Sequence, residues 1–467
     1  MRWRYLIVVG ALASHSFTQE SGIDSLALAS YQLGLVHWMT GNPDSALFAF
    51  ERAVTLSPDY LEGCLAIGDM HVQMAQFGKA RAAYERALKI QPQSAEAYLG
   101  LGHVCWNTEG EAGRALEFYQ QALALAPENA RAHAEIGKAL TSFQRYDEAI
   151  THLEAAIRRD PNLPEPHASL GLCYLAQGKI EPAARQWQEL KRKGGLSHAL
   201  IELARNLLAT VPENGILFTN GEHDTLPVWY LQMSTGERRD LSVVNVSLLS
   251  QRWYLKFLRD HEPGVAVQYD DEFLENKLKE RYWPRPGPME IAGLRWLLPP
   301  PPGLSNLRVQ DLMMLKIIEW NDWQRPIYFA VTLDPANKLS LDEFLTLEGL
   351  AWHLQKEKAG PVHIENTWQN LREQYRLIHA GERSASGAAQ RLNANYAVIT
   401  CLLAEALLKK RDFERGGETL AWADSVGILN YDFAYHWAAT LAGGMGQDRM
   451  AEIFSAKAAA LRKRHAR

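Results

Sequence analysis

The stretch LEGCLAIGDMHVQMAQFGKARAAYERALKIQPQS, residues 61–94, is one unit of a repeat that dominates the first half of the chain. Glycine returns every 34 residues, with one extra residue in the third unit, and an alanine follows each glycine after 12 or 13 residues. Proline closes four units. The repeated positions are Gly34, Gly68, Gly102, Gly137 and Gly171; Ala46, Ala80, Ala115, Ala149 and Ala183; and Pro58, Pro92, Pro127 and Pro161. A period of this length predicts stacked helical hairpins.

Small residues are expected where the two antiparallel helices of a unit cross closely, and proline is expected to end the second helix. Large residues recur in phase and should fill the gaps between helices. They are Leu33, Ile67, Leu101, Ile136 and Leu170, with Phe50, Tyr84, Tyr119, Leu153 and Trp187. The pattern resembles the tetratricopeptide repeat (TPR), which implies a right-handed superhelix that binds proteins or peptides. The predicted units are 27–60, 61–94, 95–129, 130–163 and 164–197, with a capping helix at 197–210.

The sequence predicts a mostly α-helical chain of four segments. Residues 1–20 resemble a signal peptide, 21–212 form the TPR solenoid of five repeats and a capping helix, 213–385 form a small α/β domain, and 386–467 are degenerate TPR-like helices. In the α/β segment, alternating strand-like and helix-like runs after Gly215 predict a parallel pair of strands. Further predicted elements are strands at 265–269, 294–298 and 327–331 and a helix at 309–321.

Composition and the N-terminus bound the possible functions. Arg2 and Arg4 precede an apolar run from Tyr5 to Ala13, which is typical of a secretory signal and shorter than the ~20 residues of a membrane span. We therefore expect a periplasmic or secreted protein without a membrane span. A net charge of -5 gives no electrostatic reason to expect nucleic acid. Four cysteines without a CxxC pair, and histidines without ligand spacing, predict no metal site and no cofactor.

Stacked hairpins leave their first helices on a concave groove, whose outward residues select the partner. By helical phase these are Tyr31, Leu35, Trp38, Met39, Glu62, Asp69, Glu96, His103, Trp106, Asn107, Arg131, Glu135 and Lys138. Their acidic and aromatic character favours an extended or helical peptide with basic and apolar residues. The Lys and Asn clamp with which similar TPR domains hold a carboxylate is replaced by Tyr31, Leu35, Leu65 and Asp69. In the alternative interpretation, Trp38 and Trp106 pack against neighbouring turns.

Three segments of the second half carry a further resemblance. They are ILFTNGEHDTLPVWYLQ (216–232), RRDLSVVNVSLLSQRWY (238–254) and DLMMLKIIEWNDWQRPIYFAVT (311–332). They resemble the soluble C-terminal region of bacterial membrane proteins that are similar to protein O-mannosyltransferases of the GT-C fold. The family loop TNGDNDTFPLWY is altered here at Glu222, His223 and Leu226. The resemblance implies an extracytoplasmic accessory domain, with a membrane glycosyltransferase as a possible partner.

Ligands of open α/β sheets bind beyond the carboxyl ends of the strands. The candidate ligand-binding residues are Asn220, Glu222, Asp224, Thr225, Trp229, Tyr230, Asn245, Asp311, Arg325 and Tyr328. Carboxylates, amides and aromatic rings suit a sugar or a peptide. Alternatively, Asp224 and Thr225 cap the following helix, and Arg325 pairs with Asp311 or Asp322. We expect a protein-binding scaffold without catalytic residues; the rival is an enzyme or glycan-binding accessory protein that acts on a glycan or glycolipid.

Overall fold

The computed structural model describes residues 24–108, 110–278, 287–299, 307–377 and 387–465. The chain divides into two compact units, Met1–Cys173 and Tyr174–Arg467. The predicted signal segment and the apolar run that it contains lie outside the described residues.

The first unit is built from antiparallel helical hairpins, as the repeat predicts. Its helices are α1 (Ser25–Met39), α2 (Pro43–Leu56), α3 (Leu61–Gln73), α4 (Phe77–Ile90), α5 (Ala95–Trp106), α6 (Ala112–Leu125), α7 (Ala130–Ser142) and α8 (Tyr146–Arg159), followed by α9 (Glu165–Ala176), which runs across the unit boundary. Side-chain caps begin several first helices; the Asn129 side chain, for example, accepts hydrogen bonds from the backbone N–H groups of Arg131 and Ala132. Each second helix from α2 to α8 ends two residues before the repeated proline, as predicted.

Small residues let the helices of a hairpin approach closely. The repeated alanines from Ala46 to Ala149 are fully buried. Tyr84 is enclosed between Gly68 of its own hairpin and Gly100 of the next, and a Cβ atom added to Gly68 would lie 2.5 Å from the ring. This contact explains why glycine recurs at that phase.

The in-phase large residues are buried with two exceptions, Ile67, which is partly buried, and Leu33. Leu101, Ile136 and Leu170 are 3% exposed or less, as are the aromatic positions Phe50, Tyr84 and Tyr119. Leu33 is 49% exposed, so its predicted burial is wrong. The reason is its position: Leu33 belongs to the first hairpin of the described residues, and no earlier hairpin among them covers that face.

The second unit includes α10 (Ile180–Arg192) and α11 (His198–Thr210), which the sequence assigns to the last repeat and to the capping helix of the solenoid. Trp187 of α10 stacks on Trp229 with ring centroids 5.5 Å apart. Arg205 of α11 forms an ion pair with Glu237 at 2.7 Å. These contacts hold both helices to the α/β elements that follow, so the compact unit starts earlier than residue 213.

The second unit contains a five-stranded sheet, whose strands are β1 (Ile216–Thr219), β2 (Ser242–Asn245), β5 (Ile327–Ala330), β6 (Leu345–Leu347) and β7 (Ala351–Leu354). Strands β3 (Gly287–Ile291) and β4 (Leu294–Leu298) form a separate antiparallel hairpin. The helices of this region are α12 (Glu222–Trp229), α13 (Arg252–Asp260), α14 (Val309–Asn321) and α15 (Ile364–Gln369). The strand order is β2-β1-β5-β7-β6. The strands β1, β2 and β5 are parallel, with Leu217 opposite Val243 and Tyr328, whereas β7 is antiparallel to both neighbours.

The strand predictions contain one error and three omissions. Residues 265–269 are not a strand: Val265 and Val267 are buried, which accounts for the apolar alternation, but the Val265 N–H donates to the carbonyl of Leu258 at the end of α13. The strand at 294–298 exists outside the main sheet. Strands β3, β6 and β7 were not predicted from the sequence.

Two further hairpins close the chain, as the weak repeat phase predicts. Their helices are α16 (Gly387–Lys409), α17 (Phe413–Ser425), α18 (Asp432–Gly444) and α19 (Asp448–His465). Ala404 and Ala439, the phase-related alanines, are 0% and 8% exposed. The protein is therefore mostly helical, and its small sheet falls between two helical regions along the chain.

Candidate functional site

A hollow of about 140 Å³ opens among the first helices of the hairpins in the first unit. Its lining residues are Asp69, Glu96, Leu99, Gly100, His103, Arg131, Ala134, Glu135, Leu163 and Glu165. Within α5, Glu96, Leu99 and His103 share one helical face because three- and four-residue steps return to the same side. The structure thus brings together five predicted groove residues: Asp69, Glu96, His103, Arg131 and Glu135.

The hollow is lined mainly by negative charge. Four carboxylates surround one guanidinium and one imidazole, so the lining stays acidic whether or not His103 is protonated. His103 Nε2 lies 3.2 Å from Glu135 Oε1. Burial opposes ionisation of Glu135, but the hydrogen bond and charge of His103, with Lys138 and Arg131, hold the pKa of this carboxyl below its ordinary value. A carboxylate of this kind suits a cationic partner.

The aromatic residues predicted for the groove pack against neighbouring side chains, which is the alternative interpretation. Tyr31 packs against the core cluster that the first two hairpins share. The Trp38 indole N–H donates to Gln73 at 3.3 Å, and the rings of Trp106 and Phe143 meet edge to face at 6.5 Å. Of the other predicted residues, Glu62, Asn107 and Lys138 are exposed outside the hollow, and Met39 is half-buried. Leu35 is 2% exposed, so its predicted place on the groove is wrong, because it belongs to the core cluster of Phe50 and Met70.

A second set of predicted residues closes the carboxyl end of β1. The Asp224 carboxylate accepts hydrogen bonds from the backbone N–H groups of Asn220 and Gly221, both at 2.9 Å, and from the hydroxyl of Thr332 at 2.6 Å. Asp224 is 6% exposed. Asp224 is the third residue of α12, and its carboxylate caps the helix by accepting the N–H of the N-cap residue Gly221, so the geometry favours the structural interpretation of this residue.

Neighbouring polar residues extend this cap across the ends of two strands. The hydroxyls of Thr225 and Thr219 lie 2.8 Å apart, and the Asn245 side-chain amide donates to Thr225 at 2.9 Å. All three residues are buried. Their hydrogen bonds satisfy one another, so this part of the strand edge is a connected polar core.

Asp311 joins the same edge through two residues that the sequence analysis missed. Arg308 donates to Asp311 at 2.7 Å and to the Asn337 side-chain oxygen at 2.7 Å, and Asn337 donates to Asn220 at 3.1 Å. Asp311 is a recognisable local signal, because acidic residues favour the first turn of a helix, whereas an arginine at the position of Arg308 is not. No local signal identifies Asn337, because its role depends on a hydrogen-bond partner more than one hundred residues away.

The other predicted residues do not converge on this edge. Arg325 lies at the opposite end of the sheet, where it donates to the carbonyls of Asn214 and Gly264 at 2.7 and 2.6 Å and to the Ser242 hydroxyl at 2.7 Å. It pairs with neither Asp311 nor Asp322, so that prediction is wrong. The parallel register explains the separation, since Arg325 precedes β5 and the candidate loop follows β1.

Two of the aromatic candidates, Tyr328 and Trp229, are buried in the hydrophobic core. Tyr328 donates to Glu348 at 2.8 Å and stacks on His353 at 4.4 Å. Burial and the adjacent carboxylate raise the pKa of this tyrosine far above its ordinary value. Trp229 is 2% exposed, whereas Tyr230 is half-buried. Glu222 is exposed on the first turn of α12.

The described residues contain no cluster of three or more His, Cys, Asp or Glu side chains suited to a metal ion. The described part of the chain also has no helix with the length and apolarity needed to cross a bilayer. All four cysteines are buried free thiols.

Family models match both halves of the chain. Tetratricopeptide-repeat models match residues 27–60, 65–130, 107–162 and 140–201. The model described as TMEM260-associated domain 2 matches residues 200–271 and 302–370. The chain therefore joins tetratricopeptide repeats to a TMEM260-associated domain, which confirms the fusion indicated by the sequence.

Individual relatives are more distant. A 74-residue stretch is 32% identical to the protein O-mannosyl-transferase TMEM260 of Mus musculus and covers 16% of this chain and 10% of that protein. The chain thus spans about a tenth of the length of that curated relative. The structure of TTC0263, a TPR protein of Thermus thermophilus, is 20% identical with a TM-score of 0.34, and the match covers 37% of this chain and 93% of the TTC0263 chain. The structure of MamA is 24% identical with a TM-score of 0.30, and the match covers 35% of this chain and 95% of the MamA chain.

Proposed function

We propose that the chain is a non-catalytic protein-binding scaffold, and that the acidic hollow of its repeat groove receives a lysine or arginine side chain of a peptide partner. The observation that carries this proposal is the ring of Asp69, Glu96, Glu135 and Glu165, contributed by four separate helices. Tetratricopeptide repeats are a scaffold architecture whose concave surface binds extended partners.

Size and polarity favour one basic side chain over a small-molecule ligand. The hollow of about 140 Å³ is well below the ~300–1,000 Å³ of typical ligand sites. Leu99 and Leu163 supply apolar wall for the methylene stem of a long cation, whose charged head would meet the carboxylates. The pairing of Glu135 with His103 leaves the lining net negative.

A peptide array with the full chain tests the groove. Peptides with one lysine or arginine between leucines should bind, and their glutamate counterparts should not. The double variant Glu96→Gln with Glu165→Gln should weaken binding roughly tenfold or more, because two charge-assisted contacts are lost. A matched control is Glu85→Gln with Glu117→Gln, two exposed residues on second helices that do not line the hollow.

Higher salt should also weaken binding in the wild type, since the contacts are ionic and partly exposed. Equal binding of basic and acidic peptides, or an unchanged affinity in the Glu96 and Glu165 variant, contradicts the groove assignment. Thermal melts of each variant distinguish a lost contact from a lost fold.

We further place this scaffold in the cell envelope, as an accessory to a membrane glycosyltransferase. Support comes from the signal-like sequence at Arg2 to Ala13 and from the named activity of the mouse relative, of which this chain spans a tenth. Fractionation of the tagged chain should recover it outside the cytoplasm, and the purified chain should neither cleave nor transfer glycans. Full-length material found solely in the cytoplasm, or glycan turnover by the purified chain, contradicts this role.

A further inference from the structure

A cleft of about 490 Å³ lies in the second unit, away from the strand-edge residues. Helix α10 forms one wall and the end of α13 forms the other. The floor is largely apolar, with Trp229, Met233, Leu241, Val243 and Leu258. This volume falls within the ~300–1,000 Å³ of sites that enclose a small ligand or part of a chain.

Small and aromatic residues shape the walls. Ala184 of α10 is 8% exposed, and its short side chain leaves the space that a larger residue would fill. Its carbonyl accepts a hydrogen bond from the Ser234 hydroxyl at 3.1 Å, which fixes the wall to the floor segment. On the other wall, the rings of Phe257 and His261 stack at 4.7 Å. The cleft is therefore held open by ordered elements.

The rim carries balanced charge. Arg185 and Glu181 come from α10, and Arg239 and Glu262 come from the opposite side. None of these four side chains takes part in a salt bridge among the described residues, although many other arginines of the second unit do. Two guanidinium groups and two carboxylates give no net preference for an anionic or a cationic ligand.

We propose that this cleft binds a saccharide. Guanidinium groups only donate hydrogen bonds and ionised carboxylates only accept them, so a ligand that meets both must both accept and donate. Sugar hydroxyls do so without net charge, and the C–H face of a pyranose ring suits the apolar floor. The cleft lies in the second unit and the acidic hollow in the first, so either site can fail without the other.

Titration of the full chain with methyl glycosides of glucose, galactose, mannose and N-acetylglucosamine tests this assignment. Saturation-transfer NMR detects contact, and calorimetry to about 10 mM sugar covers a Kd near 1 mM. At least one glycoside should bind. Arg185→Gln and Glu262→Gln should each weaken that binding roughly tenfold, since each removes a hydrogen bond to a charged group.

Arg52→Gln and Glu117→Gln are matched controls, exposed in the first unit and outside the cleft, and should leave sugar affinity unchanged. Thermal melts should be alike for all four variants because each replaced side chain lies at the surface. Absence of binding by every glycoside, equal binding by wild type and both rim variants, or binding of a mixed-charge peptide in the cleft without any sugar overturns the proposal.

Discussion

At the scale of single residues, the Asp224 carboxylate is a candidate ligand group whose hydrogen bonds are made within the protein. It accepts hydrogen bonds from two backbone N–H groups at the start of α12 and from the hydroxyl of Thr332, a residue 108 positions away. A buried carboxylate with three donors has little capacity left for a ligand. Its replacement should therefore affect stability before it affects binding.

Asp224→Ala is expected to lower the free energy of unfolding by about 2–3 kcal/mol, because buried N–H and O–H groups lose a charged acceptor. Glu222→Ala, at an exposed position of the same turn, should cost less than about 0.5 kcal/mol. Denaturant titration of the full chain measures both. A cost for Asp224→Ala no larger than for Glu222→Ala contradicts the capping role and returns Asp224 to the ligand candidates.

Two histidines of one hairpin provide a pH-dependent contact. The Nδ1 atoms of His133 and His152 lie 3.0 Å apart. Burial lowers the pKa of both imidazoles below 6.5, and for His133 the nearby Arg159 and the partner ring lower it further. The folded state thus prefers neutral rings, while the unfolded chain takes up protons near its ordinary pKa.

Stability of the first unit should therefore fall as the pH drops from 7 through about 6.5 towards 5, because protons bind the unfolded chain first. His152→Gln should reduce this slope, and His436→Gln, an exposed control, should leave it unchanged. The slope is reduced and not abolished, since burial also lowers the pKa of His71. Thermal melts across the pH range measure how stability changes with pH. The same change in wild type and in His152→Gln contradicts a role of the His133–His152 contact.

At the scale of elements, the hairpins depend on close approach of helices at glycine. Gly68 and Gly100 enclose the ring of Tyr84, which is 1% exposed and has no room to move. Glycine is a poor helix former, so its recurrence reflects packing and not helix propensity. Gly68 lies in the interior of α3, so this glycine serves the tertiary contact with the ring.

Gly68→Ala should destabilise the first unit by roughly 1–3 kcal/mol, because overpacking outweighs the gain in helix propensity. Gly113→Ala is the control: this glycine lies in α6, and an added Cβ meets nothing within 4 Å. It should stabilise by up to about 1 kcal/mol. Circular dichroism melts compare the two; equal effects would show that the ring contact does not limit packing.

At the scale of the whole molecule, helices α10 and α11 belong to the second compact unit although their sequences continue the repeats. Trp187 covers Trp229, and Asn206 donates to the hydroxyl of Tyr396 at 2.7 Å, linking α11 to the C-terminal hairpins. The end of a sequence repeat and the end of a compact unit are therefore different places in this chain.

A fragment of residues 174–467 should unfold cooperatively, whereas a fragment of 213–467 should lose much of that cooperativity. The shorter fragment exposes Trp229 and leaves Glu237 without the guanidinium of Arg205. Differential scanning calorimetry and tryptophan fluorescence distinguish the two. Equal melting of both fragments contradicts the assignment of α10 and α11 to the second unit.

Local sequence is sufficient to specify the hairpins, because their glycine, alanine and aromatic positions recur at a fixed period and act within about 34 residues. It also specifies the parallel pairing of β1 with β2. Only the folded chain reveals that Arg325 and Asp224 lie at opposite ends of the sheet, and that Asn337 joins Asn220. Such contacts link residues more than one hundred positions apart, and no local pattern records which distant side chain will satisfy a buried polar group.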